Sequence, residues 1–418
     1  MQAAIRYLIE FLVRDADAAK RVGYTSDPAE YNRYAVVIRP SGWLEQVSDP
    51  SRASLPHPFD FLGMPVLFGS PQMADFESTC VVSADWVASA YYLLTRYEEY
   101  QNPVRDAHGR FPGKESLLYR LDWLDRPLVD AYGRQLRVLL QKAGVQTAPV
   151  LSGTVVLTHD IDSPRRFHNL RSVLGGIRRR QWRLLADGMH GRDPYADWDG
   201  ITRMDGALPW AEQRFFAHMA GPTGQAEDAA CLPLRAADWE KARQLDWGVH
   251  FSARAARDCR CLLTENAQLT QAFGRSSACC RFHYLLLPDP EGWNTLEESG
   301  ITDDYSVGYA DVPGFRMGTC RPVRYIDPLT GRLSATLTLH PLALMDVTLS
   351  DYARLPFAEA LSVAEGICRK ACEWGGEAVL LWHNSSLAQG TEGYHRSLYI
   401  QLLDSLAQDG VGKPSDTH

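Results

Sequence analysis

Two acidic residues stand two positions apart at the end of an apolar run. Val155-Val156-Leu157 leads directly into Thr158-His159-Asp160-Ile161-Asp162. On an extended segment, residues i and i+2 point to the same side, so both carboxylates can face one pocket. Carboxylates that close repel each other unless a cation or a proton lies between them, and a divalent metal meets that need. The equal alternative is that Asp162 caps a following helix through its Asp-Ser-Pro sequence.

Three histidines occupy comparable positions along the chain. His250 follows Trp247-Gly248-Val249, His383 follows the apolar run 378–382, and His283 lies in the sequence Arg-Phe-His-Tyr. Each histidine taken singly is more often structural than catalytic. Imidazole, however, titrates near neutral pH and is a common metal ligand. Two acids and three histidines at the ends of candidate strands together favour a metal-dependent hydrolase.

The elements that would position these residues follow an alternating pattern. From Val150 onward, short apolar strands alternate with helical stretches, which is typical of parallel α/β units. In such folds the polar residues at the carboxyl ends of the strands carry the chemistry. Before this point, amphipathic periodicity predicts helices over 85–100 and 128–143. We therefore expect an α/β fold with an N-terminal α/β accessory domain over 1–149 and a second domain over 150–418.

The order of the motifs resembles that of the polysaccharide deacetylases, the NodB-homology group related to carbohydrate esterase family 4. THDID (158–162) is similar to the first motif of that family. GVHFS (248–252) is similar to the second, RFHY (281–284) to the third and LWHN (381–384) to the last. The resemblance implies a distorted (β/α) barrel with seven or eight strands from about residue 150 to the C-terminus.

Other stretches resemble a long branch of that family that carries an additional N-terminal domain. These stretches are RYEEY (96–100), DAHGRFPGKESLLY (106–119), RPLVDAY (126–132) and GYADVPGFRMGTCRP (308–322). The resemblance therefore covers most of the chain.

The resemblance also implies roles for single residues. Asp160 would act as the catalytic base, and His383 as the acid that protonates the leaving group. Arg281 would position Asp160, and Tyr284 and Asn384 would bind substrate. The residues that would hold a divalent metal are Asp162, His250 and His283. Zinc is the metal we expect, with cobalt, nickel or iron as alternatives.

One position departs from the family pattern. The second motif of the family has a second histidine four residues after the first, and this chain has Arg254 there. Asp162 and His250 alone would bind zinc weakly, so we expect His283 to replace the missing ligand. Two alternatives stay open: a catalytically degenerate glycan-binding or scaffold protein, and an amidohydrolase that acts on a non-sugar amide.

Composition limits the class of partner. The net charge is −8 with a pI of about 5.9, and the chain has no long basic block, so nucleic acid is disfavoured as a partner.

The N-terminus lacks the pattern of a signal peptide, and no apolar run reaches the roughly 20 residues of a spanning helix. Nine scattered cysteines indicate reduced thiols, and Cys259, Cys261, Cys279 and Cys280 lack zinc-knuckle spacing. We expect a cytoplasmic protein whose substrate is an acetylated sugar, a nucleotide-sugar or a lipid-linked glycan.

Overall fold

The protein is described by a computed structural model. It describes residues 1–178, 180–190, 193–235, 238, 240, 242, 244–388 and 393–414. The chain divides into two compact units, each assembled from separate segments. The first comprises 1–104, 114–151 and 315–335, and the second comprises 105–113, 152–314 and 336–418.

The helices and strands of the described residues are numbered in chain order. The helices are α1 (Gln2–Val13), α2 (Ala16–Ala19), α3 (Trp86–Leu94), α4 (Glu98–Gln101), α5 (Leu117–Arg120), α6 (Leu128–Lys142), α7 (Leu170–Arg178), α8 (Trp182–Met189), α9 (Trp198–Asp205), α10 (Cys259–Phe273), α11 (Pro290–Glu298), α12 (Phe357–Glu373), α13 (Asn384–Leu387) and α14 (Tyr394–Gln408). The strands are β1 (Val22–Tyr24), β2 (Val36–Ile38), β3 (Phe59–Phe61), β4 (Met64–Val66), β5 (Gly69–Phe76), β6 (Thr79–Ala84), β7 (Thr154–Ile161), β8 (Glu212–His218), β9 (Trp247–Phe251), β10 (Cys279–Phe282), β11 (Asp303–Asp304), β12 (Val323–Ile326), β13 (Leu333–Leu339), β14 (Leu342–Met345) and β15 (Glu377–Leu381).

The first unit combines helices with a four-stranded sheet. The strand order is β1-β2-β6-β5, with β5 antiparallel to β6 and the other pairs parallel. Its core is rich in aromatic rings, and Trp43 stacks on Phe68 with the ring centroids 4.4 Å apart. In α6, the buried Asp130 accepts hydrogen bonds from Arg321 and Thr319. Burial of this charge is tolerated because it is paired.

The second unit is built on a parallel sheet. Its strands run in the order β13-β11-β10-β9-β8-β7-β15-β14, and helices of the described residues lie between β7 and β8, between β9 and β10, between β10 and β11, and between β14 and β15. The strands in the middle of the sheet are covered on both faces. In β7, every residue from Val155 to Ile161 is buried, as expected for a parallel strand between helices and a core.

The sheet of the second unit is strongly curled. Arg281 of β10 donates a hydrogen bond to Asp160 of β7, although two strands lie between them in the sheet. His340, between β13 and β14, lies 2.9 Å from Asp303 of β11 and 2.7 Å from Glu377 of β15. The prediction of an α/β protein with a parallel sheet in its second part is confirmed. The complete barrel stays a prediction.

The predicted boundaries of single elements differ from those observed. The expected helix over 85–100 is interrupted, because α3 ends at Leu94 and Arg96 adopts a left-handed conformation with φ of 55°. The helix predicted over 128–143 is α6, which ends at Lys142. The sequence Arg-Phe-His-Tyr begins within β10, which covers Cys279–Phe282.

His340 provides a test of the curled sheet. Burial lowers the pKa of His340, but Asp303 and Glu377 outweigh this effect and raise it to about 9. Because the folded pKa exceeds the ordinary value, this stabilisation is complete below about pH 6.5 and is lost as the pH rises through about 9. We expect His340→Gln to lower the free energy of unfolding by about 2 kcal/mol at pH 6, since two half-buried carboxylates lose their cation.

Urea unfolding at pH 6 and pH 10 measures this effect. The difference between wild type and variant should shrink at the higher pH. The exposed His57 provides the matched control, and His57→Gln should change the free energy of unfolding by less than about 0.5 kcal/mol. An equal destabilisation by His340→Gln at both pH values would contradict the assignment.

Candidate metal and catalytic site

The carboxyl end of β7 carries the two acidic residues. Asp160 is buried, and Asp162 follows the last residue of the strand. His159 points to the opposite side, where its Nε2 lies 3.1 Å from Asp205, as strand alternation requires. The helix after β7 begins only at Leu170, so Asp162 does not cap it. The alternative of a helix cap is therefore wrong.

Asp162 lies at the centre of a cluster of imidazoles. Its Oδ1 is 3.1 Å from His250 Nε2 and 3.6 Å from His283 Nε2. The ring centroids of the two histidines are 5.1 Å apart. One ligand atom from each of the three residues falls within 4.8 Å of the others. One carboxylate and two imidazoles are the ligand set of many catalytic zinc sites.

The far side of each imidazole is held by an acceptor. His250 Nδ1 lies 3.0 Å from the carbonyl of Arg281, and His283 Nδ1 lies 2.9 Å from Asp228 Oδ1. These partners assign the ring proton to Nδ1 and leave each Nε2 lone pair directed towards Asp162. His250 Nε2 and Asp162 Oδ1 are buried and have no hydrogen-bond partner among the described residues. The unsatisfied atoms and the type of ligands fit a divalent metal.

The electrostatics of the cluster also favour a cation. Burial would raise the pKa of Asp162, but His283, His250 and His383 outweigh it and hold that pKa well below its ordinary value. Burial likewise lowers the pKa of His250, and the nearby Asp160 and Asp162 reverse the effect and raise it. Positive charge is thus stabilised between these groups. A metal can occupy this place by displacing a proton.

Asp160 is held by Arg281 rather than by the histidines. Arg281 Nη1 donates to Asp160 Oδ1 at 2.9 Å and to Thr158 Oγ1 at 2.8 Å. Its Nε donates to the carbonyl of Tyr305, and the guanidinium lies over the ring of Phe216. These contacts fix the arginine in a fully buried position. The second carboxylate oxygen, Oδ2, lies 3.5 Å from His250 Nε2 and faces the cluster.

His383 follows β15, the neighbour of β7 in the sheet, and also reaches Asp162. Its Nε2 lies 4.0 Å from Asp162 Oδ2, and its Nδ1 lies 2.8 Å from Asp346 Oδ1. The backbone N–H of His383 donates to the other oxygen of Asp346. Burial lowers the pKa of His383, but Asp346 outweighs it and, with Asp162 and Asp160, raises it to about 10. At neutral pH, His383 therefore carries a proton on Nε2.

A cavity of about 280 Å³ adjoins these groups and is lined by Asp160, Asp162 and His383. Tyr284 also lines it, in a left-handed conformation with φ of 59°. The guanidinium of Arg110 donates to the carbonyl of Tyr284 and to the hydroxyl of Tyr352. Burial raises the pKa of Tyr284, so its hydroxyl remains a hydrogen-bond donor.

Asn384 lies apart from this cavity. Its side-chain amide donates to the carbonyls of Ser163 and Tyr195, both at 2.8 Å. Asn384 is buried and does not line the cavity. The structure therefore brings together seven of the eight residues predicted from the sequence, and Asn384 has another environment.

Four further residues adjoin the cluster that the sequence did not single out. Asp346 directly follows the apolar strand β14, so its position at a strand end was the available signal. His218 ends β8 and lies beside His250 in the sheet register. Asp228 and Cys231 come from the loop after β8, and with His218 and His283 they form a second group of possible metal ligands. Nothing in the loop sequence marks these two residues.

Arg254 does not take part in the cluster. It is exposed, whereas the residues around it, from Phe251 to Ala256, are buried. All nine cysteines are free thiols. Cys259, Cys261, Cys279 and Cys280 belong to neither group of possible metal ligands within the described residues.

Comparison with known proteins gives a partial match. Residues 5–144 match the profile of a family of unknown function (DUF7033). No curated protein matches the chain.

Several solved structures are similar at low identity. A candidate polysaccharide deacetylase from Mycobacterium smegmatis is 15% identical, with a TM-score of 0.40 over 63% of this chain and 86% of that one. A candidate glycoside hydrolase/deacetylase from Parabacteroides distasonis is 9% identical, with a TM-score of 0.36 over 63% and 68% of the two chains. Puue allantoinase is 13% identical, with a TM-score of 0.36 over 61% and 83%. Similarities of this size do not assign an activity.

Proposed function

We propose that this chain is a metal-dependent hydrolase that removes an acetyl group from an N- or O-acetylated sugar, built on a polysaccharide-deacetylase-type barrel. The observation that carries the proposal is the convergence of Asp162, His250 and His283. Both Nε2 atoms lie within 3.6 Å of Asp162 Oδ1, and each Nδ1 atom is held by an acceptor. A base candidate, Asp160, and an acid candidate, His383, adjoin this centre.

The metal would be held by Asp162, His250 and His283. Three protein ligands leave a coordination position open, as catalytic zinc sites require. When bound, the metal supplies Lewis-acid polarisation of the acyl carbonyl. Zinc is the proposed ion because the ligands are imidazole and carboxylate, which also suit cobalt, nickel and iron.

The remaining groups carry the proton transfers. Asp160 takes the proton from the attacking water through Oδ2, because Arg281 occupies Oδ1. His383, protonated on Nε2 and held by Asp346, gives a proton to the leaving amine or alcohol. The hydroxyl of Tyr284 donates to the oxyanion that forms on the acetyl group. Asn384 positions the segment that carries His383 through its two backbone hydrogen bonds.

The substrate class follows from the cavity and from the resemblance of the motifs. The cavity has room for a small acyl group, and polar side chains line it, including Arg110, Ser385 and Ser386. Polar groups in a cavity orient a ligand through hydrogen bonds, which suits the hydroxyls of a sugar. We propose a nucleotide-linked or lipid-linked sugar as the carrier of the acetyl group.

Metal content and acetate release test the proposal together. Purified protein loaded with zinc or cobalt should bind about one ion per chain and release acetate from N-acetylated nucleotide-sugars or oligosaccharides. If the protein gains no ion when either metal is added, the hydrolase proposal is wrong and the scaffold alternative remains. If the protein binds the ion and hydrolyses only non-sugar amides, its substrate is another acyl compound and not a sugar.

The contact between Asp346 and His383 sets the expected pH dependence. Asp346 stabilises the protonated imidazole, so Asp346→Asn should lower the pKa of His383 by about 1–3 units. His383 then loses its proton at a lower pH. The alkaline limb of the plot of kcat against pH should therefore shift by at least one unit towards lower pH. Acetate release measured from pH 6 to pH 11 checks this result.

The exposed Asp122 serves as the matched control for this variant, and Asp122→Asn should leave the profile unchanged. If the alkaline limb of Asp346→Asn coincided with that of wild type, His383 would not be the group that titrates. Unchanged metal content in the variant is required for this comparison.

A further inference from the structure

The two helices that follow β7 expose an unusual amount of apolar surface. Leu170, Leu174 and Ile177 form a stripe at helical spacing along α7, and all three are exposed. In α8, Trp182 and Met189 are 60% and 87% exposed. Five large apolar side chains are thus open to solvent within 20 residues. Large apolar side chains exposed on two helices that pack together favour an interaction site.

The same segment is strongly basic, although the chain as a whole is acidic. Between Ser163 and Ala186 there are seven arginines and neither aspartate nor glutamate, while the whole chain has a net charge of −8. Among the described residues, Arg171, Arg178, Arg180 and Arg183 are exposed. Arg171 and Arg178 lie on α7, Arg183 lies on α8, and Arg180 lies between the two helices. The basic residues and the exposed apolar side chains therefore share one segment.

The two helices have a packed inner side, so the exposed residues are not simply an unfolded segment. A Cβ on Gly176 of α7 would lie 2.8 Å from the ring of Phe167 and 3.1 Å from the side chain of Leu185 in α8. Close packing at Gly176 holds the helices together. Arg166 donates to Gln181 at the start of α8 and ties the pair to the loop after β7. The side of α7 that carries Leu170, Leu174 and Ile177 does not take part in this packing and stays exposed.

We propose that the pair α7–α8 docks on the surface of an anionic lipid membrane. Amphipathic helices with arginine on the polar side and Trp, Leu or Ile on the other lie in the plane of the interface, where the apolar residues enter the acyl boundary. Arginine reaches the lipid phosphates while its stem stays among apolar groups. No helix among the residues that the structure describes is long and apolar enough to cross a bilayer.

Membrane docking bears on the substrate of the neighbouring site. The helix pair begins eight residues after Asp162, which belongs to the proposed site, so membrane docking there would favour a substrate that is itself held in the membrane. This consequence rests on the proposed function and selects a lipid-linked sugar over a nucleotide-linked one. The docking itself does not depend on catalysis.

Sedimentation with lipid vesicles tests the docking with the full chain. Wild-type protein should pellet with vesicles of phosphatidylglycerol and phosphatidylcholine, and at least about ten-fold less with phosphatidylcholine alone. Leu174→Asp should reduce the bound fraction about ten-fold, because a charge cannot enter the acyl region. The combined change of Arg171, Arg178 and Arg183 to Glu should reduce it by at least as much.

Helix α10 provides matched controls, because Leu263 and Arg260 are exposed there. Leu263→Asp and Arg260→Glu should bind vesicles within two-fold of wild type. Trp182→Ala, the mildest change, covers the case in which Leu174→Asp fails to fold, and it should weaken binding several-fold. Wild type that stays in the supernatant with anionic vesicles would overturn the proposal, as would α7–α8 variants that bind as well as wild type.

Metal content separates failure of this inference from failure of the proposed function. If the protein pellets with anionic vesicles but gains no metal, the docking proposal is supported and the hydrolase proposal is wrong. If it binds metal and releases acetate but does not pellet with vesicles, only the docking proposal is wrong.

Discussion

Replacing His250 by alanine is expected to empty the metal site and reduce acetate release to the background rate. His250 contributes one of three proposed ligands, and its Nε2 is buried 3.1 Å from Asp162. Two remaining ligands do not make a stable zinc site. Metal affinity should fall at least about 100-fold, because even losing a group that only orients a ligand costs 10–100-fold. Metal analysis after dialysis and acetate release at saturating substrate measure the two effects.

His57→Ala is the control for this variant, since His57 is exposed in the first unit. It should keep one metal ion per chain and full activity. Arg254→His makes a second comparison, because it restores the histidine of the family motif at an exposed position. It should raise neither metal affinity nor activity. Full metal occupancy in His250→Ala would remove His250 from the ligand set.

Replacing Asp160 by asparagine is expected to reduce acetate release by about 10³-fold while metal content stays unchanged. The amide has nearly the same shape and can still accept the hydrogen bond from Arg281 through its oxygen. It cannot accept a proton from water, so only the proton transfer is removed. Asp160 is not among the three proposed ligands, which predicts that the metal is retained.

The comparison with Asp162→Asn makes this test sharper. Asp162 is chemically identical and two residues away, but its proposed role is to bind the ion, so its replacement should lower metal occupancy as well as activity. Equal acetate release by wild type and Asp160→Asn would show that another group is the base. Loss of metal from Asp160→Asn would move Asp160 into the ligand set.

Much of the site was accessible from local sequence patterns. Asp160, Asp162 and His250 each stand at the end of a buried apolar run, and parallel strands place such ends at one edge of a sheet. Arg281 and His383 follow from the motif order, and both reach the cluster. The positions of these residues depend mainly on strand alternation, which is a property of the local chain.

Other parts of the site depend on loops, for which the local pattern carries little information. Asp228 enters from the segment after β8 and accepts from His283, although its sequence predicts only a loop. Asn384 follows His383 directly and still points elsewhere, towards the carbonyls of Ser163 and Tyr195. The conformation of a loop is decided by the groups it meets, and those come from distant parts of the chain.

A mixed α/β fold with a parallel sheet, and acids and histidines at the ends of its strands, could be predicted from the amino-acid sequence alone. Which of these residues meet depends on the three-dimensional fold: His283 lies beside Asp162, Arg254 lies outside the cluster, and Asp346 contacts His383. These contacts depend on the curl of the sheet. Curl sets the distances between side chains on strands that are not neighbours, and it accumulates from the twist of each strand relative to the next across the whole sheet.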